Sequence, residues 1–280
     1  MSFPPLPWQV GLNSRDFPGI WRPARDEIAF AQAHGFASIQ FHGTDTGLDT
    51  ARLGDPAATV GAALRAANLV PVMEILVRVD PMGYTATGAT PLDVLHANLP
   101  AITALGCICV HWHLVPLTST LDVAWQALEE ALLPQLVAGV ALGAAHGFRF
   151  GIEHNEPAIG LFSAPARCAA ALAAVPGLGF VWDCNHTPLD QLDSYFALTS
   201  RMTMLHVADT PLPAVNHHLP LGRGTIDFPA YCHALLARGF RGPAILEIGG
   251  LPHSGGFGRD TDAALIDSLA RLREVLSPES

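Results

Sequence analysis

The chain of 280 residues contains no lysine, and all fifteen of its basic residues are arginines. This absence excludes chemistry that depends on a lysine amine: a Schiff base with a substrate, pyridoxal phosphate anchored by lysine, and the lysine of a nucleotide-binding P-loop. The net charge of −10 also argues against a nucleic-acid partner, because phosphate binding depends on clustered basic residues. A small-molecule partner is therefore favoured.

The sequence also has few signals of secretion or membrane insertion. Its first ten residues, MSFPPLPWQV, lack the basic region and apolar core of a signal peptide. No stretch approaches about 18 uninterrupted apolar residues, as a membrane-spanning helix would need. Five cysteines, an odd number without a paired motif, are typical of reduced thiols. We therefore expect a cytoplasmic protein that has no membrane partner.

Nothing in the sequence marks a boundary between domains. There is no Pro- or Ser-rich linker, no low-complexity tract and no short-period repeat, so residues 1–280 are predicted to form one domain. The mean hydropathy of +0.31 is compatible with a large core, and equally with apolar surface buried in a homo-oligomer. Both interpretations stay open at this point.

Short apolar runs rich in β-branched residues alternate with Ala/Leu-rich stretches along the chain. The runs predict strands near 8–12, 37–41, 70–76, 107–112, 148–153, 178–183, 203–208 and 243–248. The stretches between them predict helices over 23–34, 56–67, 91–105, 121–146, 164–174, 189–198, 228–238 and 260–276. This alternation indicates an α/β protein, a single (β/α)8 TIM barrel. An open doubly wound sheet has less support, because no G-x-G-x-x-G follows the first strand.

Polar side chains lie at or near the ends of these strands, where a barrel has its active site. They are Asn13, His42, Glu74, His111 and His113 on the first four strands, and Glu153, His154, Asp183, His186, His206, Asp209 and Glu247 on the last four. Carboxylates are seldom buried without partners, and converging anions repel one another unless a cation compensates them. A hard divalent cation suits carboxylate oxygens combined with one imidazole. The pattern therefore predicts a metal-containing pocket.

The stretch FVWDCNHTP at 180–188 has two interpretations. Asp183 is either a helix N-cap, with His186 on the surface, or both side chains belong to the pocket. The similar endings of the other strands favour the pocket.

Five segments occur in order along the chain: GIEHN, VWDCNH, LHVADT, LGRGTIDF and ILEIGG. As an ordered set they resemble the xylose isomerase-like TIM-barrel superfamily, and the resemblance spans nearly the whole chain. That superfamily includes sugar isomerases and epimerases of the tagatose 3-epimerase and hydroxypyruvate isomerase types, inosose dehydratases and zinc-dependent apurinic endonucleases. The resemblance implies one divalent ion, Mn, Mg, Co or Zn, held by Glu153, Asp183, His206 and Glu247.

The resemblance also implies an activity, the isomerisation or epimerisation of a small ketose or related hydroxy-carbonyl compound. A proton is removed from a carbon next to a carbonyl and returned elsewhere, through an enediolate that a divalent metal stabilises. Glu153 and Glu247 would be the catalytic base and acid. The substrate-binding residues would be His186, Arg223, His111 and Trp112. Trp8 and Phe257 are further candidates for the pocket wall.

Three alternatives remain. An inosose dehydratase-like lyase would begin with the same proton abstraction. A zinc-dependent apurinic endonuclease with three zinc ions is suggested by Asn216-x-His218, which stands where those nucleases carry Asp-x-His. Against the nuclease, Asn216 is neutral, the third strand offers Glu74 instead of histidine, and the chain is acidic. The third alternative is a non-catalytic sugar- or metal-binding barrel.

Overall fold

Eight parallel strands close into a barrel in chain order in the computed structural model, which describes residues 6–17, 20–118, 124–249 and 261–277. The strands are β1 Gln9–Asn13, β2 Ser38–His42, β3 Val70–Val79, β4 Cys109–Pro116, β5 Arg149–Glu153, β6 Gly179–Asp183, β7 Met202–Val207 and β8 Pro243–Leu246. Pairing of β8 with β1 completes the ring. The predicted (β/α)8 barrel is confirmed.

Helices lie between the strands and cover the outside of the barrel. They are α1 Ala24–His34, α2 Thr50–Leu53, α3 Ala57–Ala66, α4 Pro91–Leu105, α5 Trp125–His146, α6 Pro165–Ala174, α7 Leu192–Phe196, α8 Phe228–Ala237 and α9 Asp262–Leu276. Local chemistry explains several ends. At the start of α4, Thr90 and Asp93 form a reciprocal capping box, and α4 ends at Gly106, whose φ of 80° suits glycine.

The structure differs from the sequence-based prediction in three respects. The expected helix over 189–198 is broken into a 3-10 turn at Leu189–Gln191 followed by the short α7. The helix α2 was not predicted, because four residues are too few to show a period; Asp49 caps it. Strands β3 and β4 extend further than their apolar runs, because they pair with each other as far as Val79 and Pro116. The predicted starts of α5 and α9 lie outside the described residues.

The inside of the barrel has an apolar floor. Five buried side chains form this cluster: Val72, Cys109, Val181, Met204 and Ile245. Each stands two residues before a polar residue of the same chain segment, namely Glu74, His111, Asp183, His206 and Glu247. Because side chains on a strand alternate with a period of two, the polar set also points inward, one layer nearer the carboxyl ends of the strands.

Among the described helices, α5 alone is long and apolar enough to cross a membrane by length and composition. It buries one side, including Leu128, Leu132 and Leu136, and its Gly139 packs directly against the ring of Phe150 in β5. These contacts are those of a barrel helix. All five cysteines are free and buried.

Candidate metal and substrate site

Four side chains converge at the carboxyl ends of β5 to β8. Glu153 and Asp183 end their strands, His206 lies within β7, and Glu247 directly follows β8. One ligand atom from each lies within 4.8 Å of the others. The structure therefore brings together the four residues that the family resemblance implied as metal ligands.

Asp183 combines the two interpretations of its sequence segment. Its Oδ1 accepts a hydrogen bond from the backbone N–H of Asn185 at 2.7 Å, which caps the 3-10 turn Cys184–His186. Its Oδ2 lies 3.2 Å from His186 Nε2. One oxygen therefore caps the chain, while the other belongs to the cluster.

The ring of His206 is held from both sides. Its Nδ1 lies 3.2 Å from Glu153 Oε1 and 2.9 Å from Glu247 Oε2, and its Nε2 lies 2.9 Å from Gln40 Oε1. A carbonyl oxygen can only accept, so Nε2 carries a hydrogen and donates a hydrogen bond to Gln40 Oε1. Burial alone would lower the pKa of His206, but the two carboxylates raise it well above its usual value. Nδ1 is the atom available to a metal.

The cluster has an excess of buried acceptors. Asp183 Oδ2 and Glu247 Oε2 are buried without a hydrogen bond among the described residues, although histidine nitrogens lie nearby. Burial and the neighbouring charge of Glu247 raise the pKa of Asp183. Carboxylates desolvated side by side are costly unless a cation neutralises them. Three carboxylates, one imidazole and two unsatisfied oxygens fit a divalent cation.

His186 and His111 both contact the carboxylates of this cluster. His186 is almost fully buried, and its Nδ1 lies 3.2 Å from the backbone oxygen of His154. His111 points inward from β4, with its Nε2 3.2 Å from Glu153 Oε2 and its ring edge-on to His206. Both are therefore close enough to the cluster to influence what binds there.

The remaining predicted substrate contacts lie elsewhere. Trp112 follows His111, so strand alternation turns it outward, where it is fully buried and packs edge-on against Phe150. Its predicted place in the pocket is wrong, since the helix-facing core surrounds it. Arg223 is exposed on a loop after β7. Trp8 packs against Phe240 near the amino end of β1, and Phe257 lies outside the described residues.

The segment LGRGTIDF forms a loop organised by Asp209. The Asp209 carboxylate accepts hydrogen bonds from the backbone N–H groups of Gly222, Gly224 and Ile226 at 2.8, 2.9 and 3.1 Å. Gly224 approaches Asp209 and the backbone so closely that a Cβ would collide with both. Asp209 thus orders this loop, and Arg223 stands on its outer side.

His218 is held in place by two oxygen acceptors. Its Nδ1 lies 2.9 Å from the backbone oxygen of Glu247, and its Nε2 lies 2.8 Å from Asn216 Oδ1. The Asn216 amide donates to Glu156 Oε1 at 2.8 Å, which fixes its orientation. Both nitrogens of His218 are therefore engaged, although the ring belongs to a group with Asp183 and His186 that is close enough to hold an ion.

The sequence placed Glu74 and His113 at strand ends without an individual role, and the structure pairs them. His113 Nδ1 lies 3.1 Å from Glu74 Oε1, and its Nε2 lies 2.8 Å from Asn155 Oδ1. The amide of Asn155 donates to two backbone carbonyls, so its oxygen faces His113 and accepts. Burial alone would lower the pKa of His113, but the charges of Glu153 and Glu74 raise it to about 10. Both ring nitrogens of His113 therefore face oxygen atoms of neighbouring side chains.

His42 and Asp16 form a second unforeseen pair, beside Glu74. Asp16 Oδ1 accepts from His42 Nδ1 at 2.9 Å, and Arg52 Nη2 lies 3.4 Å from the same oxygen. Phe17 packs against the imidazole, with ring centroids 4.3 Å apart. The free edge of His42 therefore faces Glu74, whose Oε2 lies 3.8 Å from Nε2. The only sequence signal was His42 at the end of a strand.

Comparison with known proteins identifies the class of protein that this fold and cluster represent. Residues 28–275 match the family model described as xylose isomerase-like TIM barrel, and the chain belongs to that family. No curated protein matches the chain in sequence.

Several solved structures share the fold at low sequence identity. The 3-keto-D-glucoside 4-epimerase from E. coli is 16% identical with a TM-score of 0.74, over 95% of this chain and 99% of its own. A D-allulose 3-epimerase from Methylomonas sp. is 17% identical with a TM-score of 0.71, over 99% and 100%. The family 2 AP endonuclease from Brucella melitensis is 18% identical with a TM-score of 0.67, over 95% and 98%. At these identities the similarity concerns the fold.

Proposed function

We propose that the protein is a divalent-metal-dependent isomerase or epimerase of a small ketose or related hydroxy-carbonyl compound. The observation that carries this proposal is the four-residue cluster with its two unsatisfied carboxylate oxygens. Structural similarity to two sugar epimerases supports the choice of substrate class. Glu153, Asp183, His206 and Glu247 would hold the ion, which would supply Lewis acidity toward the oxygens of the substrate.

The residues have separable roles in this proposal. Glu153 ends β5 and Glu247 follows β8, and these two strands are not neighbours in the barrel. One carboxylate removes the proton next to the carbonyl, and the other returns a proton to the substrate. His186 donates a hydrogen bond to the substrate oxygen that gains negative charge. Gln40 keeps the proton of His206 on Nε2, which leaves Nδ1 directed at the carboxylates.

The apurinic endonuclease is the second candidate, because Asp183, His186 and His218 form another group that is close enough to hold an ion. Two observations weigh against it. Asn216 offers His218 a neutral amide oxygen where the nucleases carry an anion, and it occupies Nε2. The lysine-free chain also has a net charge of −10, which is unfavourable for DNA.

The first experiment is elemental analysis of protein purified without chelator, followed by ketose turnover in deuterated water. About one Mn, Co, Mg or Zn per chain and deuterium incorporation next to the carbonyl are expected under the proposal. Loss of water from the substrate after exchange would instead indicate the dehydratase-like lyase. Three zinc ions and cleavage of abasic DNA would indicate the nuclease. One bound ion with no exchange in any ketose would favour a non-catalytic binding barrel.

A further inference from the structure

At the carboxyl end of the barrel, most of the site side chains that solvent reaches are not predicted metal ligands. Solvent touches 16% of His113, 12% of Glu247, 8% of His42 and 7% of Glu74, against 1% of Asp183 and none of Glu153 or His206. Apart from Glu247, the accessible groups come from β2, β3 and β4. A molecule that enters from the carboxyl end of the barrel therefore meets the side formed by β2 to β4 as well as the side formed by the ligands of β5 to β8.

On the side formed by β2 to β4, only certain hydrogen-bonding atoms of the named side chains remain available to a ligand. Glu74 accepts one hydrogen bond at each oxygen, from His113 and from Gln40 Nε2, and each oxygen has a further lone pair. Both nitrogens of His113 already lie within hydrogen-bond distance of Glu74 and Asn155. His42 Nε2 has no hydrogen bond among the residues that the structure describes, and Asp16 fixes the direction of its ring. The side therefore offers carboxylate acceptors and one imidazole nitrogen.

This combination suits a hydroxyl group and is unsuited to an anion. A hydroxyl can donate to Glu74, and it can either accept from or donate to His42 Nε2, whichever proton state that nitrogen has. A phosphate dianion or a carboxylate has no proton to donate to Glu74, so at hydrogen-bond distance its oxygens would meet the Glu74 oxygens without a proton between them. Because His42 Nε2 lies 3.8 Å from Glu74 Oε2, one substrate can reach both groups.

We propose that Glu74 and His42 form a subsite for the hydroxyl-bearing part of a neutral polyhydroxy substrate, and that this subsite disfavours substrates carrying phosphate or carboxylate there. The inference rests on the proposed function and narrows its substrate class. Glu74 acts here on binding and selectivity. Proton transfer remains with Glu153 and Glu247.

The test compares neutral ketoses with their phosphate esters on the metal-loaded chain. D-fructose, D-tagatose and D-allulose are titrated beside the corresponding 6-phosphates, with affinity measured by calorimetry or ligand-observed NMR. We expect at least one neutral ketose to bind about 10-fold or more tightly than its phosphate ester. Equal or tighter binding of all the esters, or no binding of any ketose, would overturn the subsite.

Two variants separate the roles of charge and hydrogen bonding. Glu74→Gln keeps the shape and removes the charge, so it should weaken ketose binding about 10-fold and reduce the discrimination against phosphate. His42→Leu should weaken ketose binding by a smaller factor and leave that discrimination intact, because Glu74 remains. Glu130→Gln, on the exposed side of α5, is the control and should match the parent. Unchanged affinities in both site variants would contradict the inference.

Metal content and proton exchange distinguish this inference from the proposed function. If ketoses exchange deuterium but Glu74→Gln changes neither KM nor selectivity, the subsite is wrong and the function stands. If ketoses bind and respond to Glu74→Gln but never exchange, the subsite stands and the isomerase proposal fails. A parent with two ions per chain and a Glu74→Gln variant with one would make Glu74 a metal ligand, and would overturn the subsite.

Discussion

Two adjacent layers of side chains inside the barrel come from the same chain segments, but one is apolar and the other is polar or charged. The floor consists of Val72, Cys109, Val181, Met204 and Ile245, and two residues further along the chain the same segments carry Glu74, His111, Asp183, His206 and Glu247. The floor buries apolar surface, which stabilises the fold in any buffer. The layer above buries charges, which are costly unless something binds them.

The two layers should therefore respond differently to metal. A floor substitution changes the stability of the protein with or without an ion. A substitution in the charged layer should change metal binding or turnover, and should affect stability mainly through the bound ion. Substitutions at four positions test this separation.

Glu247→Gln should have the largest effect, on turnover. The amide preserves size but cannot take up a proton at physiological pH, so we expect ketose exchange to fall by about 10²–10⁴-fold, the usual range for a lost acid–base group. The variant should remain folded by circular dichroism. Near-normal exchange in this variant would remove Glu247 from the proposed mechanism.

Ile245→Ala should have the largest effect on stability. Ile245 is fully buried in the floor, and truncating such a side chain costs about 2–5 kcal/mol because it leaves a cavity. Urea denaturation in saturating metal and in chelator should show similar losses of unfolding free energy. A loss that appears only in metal would mean that the two layers are not independent.

Asp183→Ala and Asp183→Asn separate the two roles of this carboxylate. Both should abolish the stabilisation that the ion provides, about 2.7 kcal/mol when free metal is 100 times Kd. Asparagine can still accept the hydrogen bond from Asn185, so in chelator only alanine should lose the contribution of a cap, about 1 kcal/mol. Thermal melts of both variants, with and without metal, measure the two terms. Equal destabilisation by alanine in both buffers would leave Asp183 with the capping role alone.

The alternation of apolar runs and helical stretches predicted the barrel correctly. The strand-end carboxylates predicted a pocket, and the family resemblance assigned four of its residues as ligands; the structure brings these four together, and their binding of a metal stays a prediction. The sequence-based prediction erred on Trp112, although alternation from an inward His111 turns Trp112 outward. The prediction of one continuous helix over 189–198 is also wrong, since its Ala/Leu pattern does not reveal the 3-10 turn before α7.

The site residues that the sequence did not predict were missed for one physical reason. Asp16, Gln40 and Asn155 act through partners distant in sequence, and closure of the barrel brings them together. Gln40 and His206 are 166 positions apart, on β2 and β7. A glutamine inside a short strand gives no periodic signal of such a contact.

Gln40→Met should have the smallest effect, and it tests whether the hydrogen bond from His206 to Gln40 holds the proposed metal ligand in place. Methionine has similar length but removes the acceptor of the His206 proton and the donor to Asn13 and Glu74. Loss of such a partner typically lowers metal affinity about 10–100-fold, because the imidazole is no longer held in one tautomer and orientation. Competition with a chelator of known affinity measures the change, and Gln126→Met on the exposed side of α5 is the matched control. If both variants bind metal as the parent does, then Nδ1 of His206 is positioned by its carboxylate neighbours alone, and the layer of charges needs no support from β2.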